Sequence, residues 1–176
     1  MFAGSGVYLL PFGKGQMFAT RGWANALAGG FQITGILTAQ SGVPLGVLQS
    51  GANGLGLGAY RPDKIGNPLT THPRNSNGSV QWINASAYKV ADGHFGSAPI
   101  RDGKMRGPNY WSMDFGIQRN FHLYDRLNMK FRAEAFNFLN HPNLALPNQD
   151  ASNPAFGQIN VVYAARAVQF DLELHF

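Results

Sequence analysis

The chain alternates apolar and polar side chains with a period of two residues, most clearly at its end. In AVQFDLELHF, at residues 167–176, every second position is apolar: Val168, Phe170, Leu172, Leu174 and Phe176. Such alternation is typical of a strand with one face in an apolar environment and the other in water. The pattern predicts a β-strand here and leaves open whether its apolar face meets a protein core or lipid.

The same alternation recurs upstream, while helix signals are nearly absent. It covers the segments FQITGILTAQ, WSMDFGIQRNF and RLNMKFRAEAF, and the shorter apolar segment VYLLPF adds a strand whose faces the pattern does not assign. We therefore predict five antiparallel strands, near residues 6–12, 22–40, 110–121, 127–138 and 165–176.

The connections between these strands alternate between short and long. The first and third are tight turns, whereas loops 41–109 and 139–164 are long. Structureless loops of that length are uncommon inside a compact soluble domain. Outer-membrane barrels combine short periplasmic turns with long extracellular loops. The spacing therefore predicts an all-β fold, an antiparallel transmembrane β-barrel with long extracellular loops.

In such a barrel the polar face of each strand lines a wet lumen. We expect four charged side chains there, namely Asp114, Lys130, Arg132 and Glu134, with the last three pairing with Asp114 across the short hairpin. Arg119 alone places a charge on the apolar side of its strand. A charge at the lipid midplane costs roughly 2–4 kcal/mol, so a membrane would confine charged side chains to the polar faces of the strands, as this pattern does.

The composition narrows the possible functions. Charged residues make up 13% of the chain, about half of the ~25% usual for soluble domains, and cysteine is absent. The net charge is +5, of which loop residues 41–110 carry +4, but these cations are spread through Gly- and Pro-rich sequence. We therefore expect no nucleic-acid partner.

Catalytic chemistry has no motif to support it. The histidines are scattered without metal-ligand spacing, no serine lies in a G-x-S-x-G context, and SGANGLGLGAY lacks the GK[ST] of a phosphate loop. We expect no enzymatic activity, no metal and no cofactor. The start MFAGSGVYLLPFG lacks a basic segment followed by a long apolar one, so we expect no signal peptide there, and no apolar run approaches the ~20 residues of a spanning helix.

Several blocks, in order along nearly the whole chain, resemble the end of a TonB-dependent outer-membrane receptor, especially the type with a carboxypeptidase-regulatory-like N-terminal extension. They are GGFQITGILTAQSGVPL, YRPDKIGNP, WINASAY, HFGSAP, MRGPNYWSMDFGIQRNF, LNMKFRAEAFNFLNHPN and FGQI, followed by AVQFDLELHF. The resemblance implies that residues 1–176 form about five C-terminal strands of a 22-stranded barrel whose plug domain is absent from this chain. It also implies that Phe170, Leu172, Leu174 and Phe176 form the signal read by the barrel-assembly machinery.

The expected function is ligand uptake across the outer membrane of a Gram-negative bacterium. The expected partners are outer-membrane lipid and lipopolysaccharide, the barrel-assembly machinery, the rest of the barrel with its plug, TonB through the missing N-terminal part, and a ligand that the sequence does not identify. Four loop residues are candidate ligand contacts: Trp82, Arg101, Lys104 and Arg106. The positive charge of loop 41–110 favours an anionic ligand or the phosphates of lipopolysaccharide. The alternative is a soluble β-rich carbohydrate-binding module, with its apolar strand faces buried inward and loop 41–110 collapsed.

Overall fold

The computed structural model describes residues 1–13, 17–18, 22, 29–51 and 59–176. Contacts divide the chain into two compact units, which are described separately. Unit 1 comprises Met1–Gln40, Trp111–Pro142 and Ala164–Phe176, and unit 2 comprises Ser41–Tyr110 and Asn143–Tyr163.

Strands dominate both units. In chain order they are β1 (Phe2–Leu9), β2 (Phe31–Gln40), β3 (Pro44–Leu45), β4 (Gln49–Ser50), β5 (Ala59–Tyr60), β6 (Asp63–Lys64), β7 (Val80–Gln81), β8 (Tyr88–Lys89), β9 (Asp102–Arg106), β10 (Tyr110–Tyr124), β11 (Leu127–Phe136), β12 (Gln158–Ile159) and β13 (Ala167–His175). A short 3₁₀ helix, Ala85–Ala87, precedes β8. Within the described part of the chain, no helix is both long enough and apolar enough to span a membrane.

Unit 1 is one five-stranded sheet in the order β1-β2-β10-β11-β13. The pairs β1–β2, β10–β11 and β11–β13 are antiparallel, so the predicted all-β antiparallel fold is confirmed. The described strands form an open sheet with β1 and β13 at its edges, and they do not close a barrel by themselves.

The first two strands differ from the predicted ranges. β1 spans Phe2–Leu9 rather than 6–12, because it ends before Pro11, which has no N–H to donate to a ladder. Gly6 pairs with Gly35, so the opening AGSG lies within the sheet. β2 begins at Phe31 rather than near residue 22, and the predicted stretch at 23–28 lies outside the described residues.

The register between β11 and β13 sorts their side chains onto two faces. Phe131 pairs with Leu172, whereas the neighbouring Lys130 pairs with Glu173. Directly paired residues lie on the same face of a sheet, so apolar positions meet apolar positions and charged positions meet charged ones. The apolar face stays uncovered within the described residues, since Phe170 is 74% exposed. The alternative of a soluble module, which buries these faces inward, disagrees with that exposure.

Unit 2 shows that the two long connections are folded. Segments from both of them pair, as β7 with β12, and share one hydrophobic core of Leu45, Val47, Ile83, Ala87, Tyr88, Ala98, Met105 and Phe156. The long connections predicted at 41–109 and 139–164 therefore contribute to a folded unit, and such a collapse is the feature that the soluble alternative anticipated. Close backbone approaches help to make it compact, since a Cβ on Gly96 would lie 1.9 Å from the carbonyl oxygen of Arg61.

One buried amide side chain takes the place of a strand pairing in unit 2. Gln49 is 1% exposed, and its Nε2 donates to the carbonyl oxygen of Ala91 at 2.8 Å. Its Oε1 accepts from the Ala91 N–H at 2.8 Å, and Nε2 also donates to the Tyr60 hydroxyl at 2.8 Å. Both ends of the carboxamide are therefore satisfied, which a buried polar group requires.

Replacing this amide by a hydrocarbon should destabilise unit 2. Gln49→Leu leaves the Ala91 N–H and C=O buried without partners, at a cost of about 2 kcal/mol or more. We expect hydrogen exchange at the Ala91 amide to accelerate by roughly 30-fold or more in the purified full-length protein. The matched change Asn160→Leu, at an exposed amide of the same unit, should leave that exchange nearly unchanged. Equal protection of Ala91 in the wild type and in Gln49→Leu would show that the amide does not hold this segment.

Candidate functional site

A cleft of about 660 Å³ lies within unit 2. That volume falls in the range of roughly 300–1,000 Å³ that small-molecule sites occupy. Three stretches line it, near residues 69–73, 81–90 and 151–158, and every lining residue is uncharged. They are Leu69, Thr70, Thr71, Pro73, Gln81, Asn84, Ala85, Ser86, Tyr88, Val90, Ala151, Asn153, Pro154, Phe156 and Gln158.

Two core aromatic residues contribute to the lining. The rings of Tyr88 and Phe156 meet edge to face, with centroids 5.7 Å apart and planes at 83°. Both side chains belong to the hydrophobic core, which fixes their positions. Burial, and next the negative charge of Asp102, raise the pKa of Tyr88 to about 12, so its hydroxyl is neutral at physiological pH.

Some polar side chains of the lining are committed to the fold. The Oδ1 of Asn84 accepts from the Ser86 N–H and hydroxyl, and its Nδ2 donates to the carbonyl oxygen of Asn67. Asn84 thereby caps the 3₁₀ helix. The Nε2 of Gln81 likewise donates to the carbonyl oxygens of Ile83 and Phe156. These two amides shape the cleft, and Gln81 has no amide hydrogen left for a ligand, because its Nε2 donates both of its hydrogens.

Two other amides are anchored by their oxygen only. The Oδ1 of Asn153 accepts from the Ala155 N–H at 2.8 Å. The Oε1 of Gln158 lies 3.0 Å from the Ser79 hydroxyl oxygen and shares its single hydrogen with the Asn77 Oδ1, which lies at 2.6 Å. Among the described residues, neither NH₂ group has an acceptor. The cleft therefore presents two fixed hydrogen-bond donors, which no charge or motif pattern in the sequence marks out.

The four loop residues predicted to contact ligand lie outside this cleft lining. Trp82 donates from Nε1 to the Arg106 carbonyl oxygen at 2.7 Å and stacks on the His72 ring at 3.9 Å. Arg106 donates from Nη1 to the Gly42 carbonyl oxygen at 2.9 Å. The structure thus brings Trp82 and Arg106 together as bracing groups, while Arg101 and Lys104 are exposed at the start of and along β9. A ligand role for these four residues stays a prediction.

Ionic contacts tie β6 to more distant segments of unit 2. Lys64 pairs with the buried Asp102, and its hydrogen bond lowers the pKa of that carboxyl. The His94 Nε2 lies 2.6 Å from the Asp63 Oδ2, and its Nδ1 lies 2.8 Å from the carbonyl oxygen of Asp92. Both acceptors require a hydrogen, so the contacts are satisfied together only when the imidazole is protonated on both nitrogens.

In unit 1 the four residues predicted to face a lumen lie on the polar face of the sheet. Lys130 pairs with Glu173 at 3.4 Å, and Arg132 pairs with Glu134, which also accepts from Gln169. The predicted pairing of these cations with Asp114 was wrong. Asp114 instead accepts from the Asn137 N–H at 2.9 Å, because the paired stretch of β10 and β11 ends at Phe115 and Ala135.

The apolar face carries one charged side chain whose surroundings are aromatic. The guanidinium carbon of Arg119 lies 4.2 Å from the ring centroid of Phe121 and 5.1 Å from that of Phe31. Cation–π attraction of this kind stabilises a guanidinium in apolar surroundings by roughly 0.5–2 kcal/mol. Phe170, Leu172 and Leu174 share this face with Arg119, and their recognition by the assembly machinery, together with that of Phe176, stays a prediction.

The contact between His94 and Asp63 should make its loop sensitive to pH. The hydrogen bond to Asp63 raises the pKa of His94, so its contribution is complete below pH ~6.5 and is lost as pH rises through the raised pKa. The same bond lowers the pKa of Asp63, whose contribution is complete above pH ~3.9 and is lost as pH falls through the lowered pKa. We expect faster intrinsic-rate-corrected hydrogen exchange at residues 92–97 at alkaline pH than near pH 6. The same pH response in His94→Gln would contradict this.

Comparison with known proteins agrees with the architecture. The family model described as outer membrane beta barrel domain matches residues 1–169. No curated protein and no solved structure matches the chain. The match spans nearly the whole chain and fits a sheet with one exposed apolar face and one polar face. The chain therefore belongs to the family of outer membrane beta barrel domains.

Proposed function

We propose that this chain is part of a TonB-dependent receptor that takes up a ligand across the outer membrane of a Gram-negative bacterium. The observation that carries the proposal is the combination of a two-faced antiparallel sheet with a folded unit built from the long connections. The sheet has the chemistry of a barrel wall, and the folded unit contains a cleft of ligand size.

The exposed apolar face and the open edges of the sheet support the proposal that it is part of a larger barrel. Its exposed apolar face is stable against lipid, whereas open edges in lipid would leave backbone groups unpaired at several kcal/mol each. The edges β1 and β13 therefore require partner strands in a membrane, and a closed barrel supplies them. The charged side chains of the opposite face then line its interior.

The folded unit favours a selective receptor over an open pore. A diffusion pore has no need for a loop region with its own hydrophobic core and a cleft whose amides are held by internal hydrogen bonds. Here Gln81 and Asn84 hold the lining in place, and Asn153 and Gln158 present donors from fixed positions. Selective binding outside, followed by energised transfer, is the activity that such a region serves.

The proposal predicts uptake that depends on both this protein and TonB. Cells with and without the gene are grown on a complex extract, and the compounds removed from the medium are compared by mass spectrometry. We expect a set of compounds to be depleted only when the gene, TonB and the proton-motive force are all present. Depletion that persists without TonB, or with the proton-motive force collapsed, would show that transport follows another mechanism.

A further inference from the structure

We propose that the cleft of unit 2 binds an uncharged, oxygen-rich ligand of the neutral oligosaccharide class. This inference rests on the proposed receptor function and deepens it by naming the class of ligand. It departs from the anionic ligand that the sequence favours, and it is carried by the charge, the hydrogen-bonding capacity and the shape of the cleft.

The absence of charge in the lining favours an uncharged ligand over an ionised one. All the residues that line the cleft are neutral, including Tyr88, whose hydroxyl keeps its proton. An anion or cation entering the cleft would lose hydration without gaining an opposite charge, which is strongly unfavourable. Arg74 and Lys89 adjoin lining residues in the sequence but do not line the cleft, and Lys64 and Arg106 are engaged by Asp102 and by the Gly42 carbonyl oxygen.

The polar groups still available in the lining are mainly donors. The NH₂ groups of Asn153 and Gln158 have no acceptor among the described residues, and the Thr71 hydroxyl has no hydrogen-bond partner there either. Two of these donors are held in place through their amide oxygens. They fit a ligand with many acceptor oxygens, and the hydroxyl and ring oxygens of a sugar meet that requirement.

The apolar part of the lining suits the carbon face of a sugar ring. Leu69 is 50% exposed and Val90 is 47% exposed beside the cleft, while Phe156 is fixed in the core below. Sugar rings combine C–H faces with a polar edge, so one ligand satisfies both kinds of surface.

A neutral peptide fits the cleft less well. Extended peptides commonly bind by adding a strand to a free sheet edge. β7 pairs with β12 on one side and forms a bridge between Val80 and Arg74 on the other. The Gln158 carbonyl oxygen of β12 already accepts from the Asn148 N–H. Neither strand offers a free edge at the cleft.

The test is direct binding to the purified full-length protein in detergent micelles, measured by isothermal titration calorimetry. The neutral probes are maltohexaose, cellohexaose, xylohexaose and mannohexaose, and the counter-probes are hexagalacturonate, inorganic phosphate and a hexapeptide of alanine and serine with blocked ends. We expect at least one neutral hexasaccharide to bind and the counter-probes not to bind.

Matched variants locate the binding. Asn153→Asp and Gln158→Glu keep an oxygen at each anchoring position, replace the free NH₂ donor by a carboxylate oxygen and add one negative charge. Each should weaken binding by about fivefold or more, as the loss of one hydrogen bond predicts. Thr71→Val, an uncharged change of similar shape, should also weaken it. Asn160→Asp makes the same chemical change at an exposed site outside the cleft and should leave the affinity within about twofold.

The inference is overturned if no neutral hexasaccharide binds, or if the peptide, inorganic phosphate or hexagalacturonate binds. Sugar binding that is unaffected by Asn153→Asp, Gln158→Glu and Thr71→Val would also overturn it. The outcome is separable from that of the receptor proposal. Sugar binding at the cleft without TonB-dependent uptake refutes the transport mechanism alone, and TonB-dependent uptake without sugar binding refutes the ligand class alone.

Discussion

The antiparallel register between β11 and β13 is the constraint on which the rest of unit 1 depends. Phe131 pairs with Leu172, and the adjacent Lys130 pairs with Glu173. A slip of a single residue would move every apolar side chain to the charged face, because side chains alternate along a strand. Over nine paired positions that slip would place several charges against lipid, each costing roughly 2–4 kcal/mol at the membrane centre. The membrane and the pairing therefore select the same register.

Unit 2 depends on internal hydrogen bonds more than on long strands. Most of its strands are two residues long, too short to hold a sheet by backbone pairing alone. Buried polar side chains such as Gln49 connect its segments, and its small hydrophobic core covers them. Internal hydrogen bonds also shape the cleft. Gln81 and Asn84 donate to backbone carbonyl oxygens of unit 2, whereas the NH₂ groups of Asn153 and Gln158 have no acceptor among the described residues. Neutral carboxamide side chains thus both stabilise unit 2 and line the cleft that we propose binds the ligand.

The wall of the barrel was predictable from the sequence, and the cleft was not. Alternation with a period of two is a local signal, so β11 and β13 were found close to their observed limits. The folding of the long connections depends on pairs such as Gln49 with Ala91, whose partners lie 42 residues apart. Nor does any local pattern distinguish the Gln81 amide, whose two hydrogens are both donated within the fold, from the Asn153 amide, whose NH₂ has no acceptor among the described residues. Charge drew attention to Arg106, whose guanidinium braces the backbone instead.

The central claim is that the apolar face of the sheet contacts lipid while the opposite face contacts water. The chain contains no cysteine, so single cysteines introduced at consecutive positions from 168 to 173 are its only labelling sites, with any cysteine in the rest of the protein replaced by serine. Spin labels at these positions, in the full-length protein reconstituted into bilayers, report collisions with oxygen from lipid and with a nickel chelate from water. The account predicts that oxygen accessibility peaks at Val168, Phe170 and Leu172 and that nickel accessibility peaks at the positions between them. Uniform access by the nickel chelate, or protection of the apolar positions from both reagents, would contradict it.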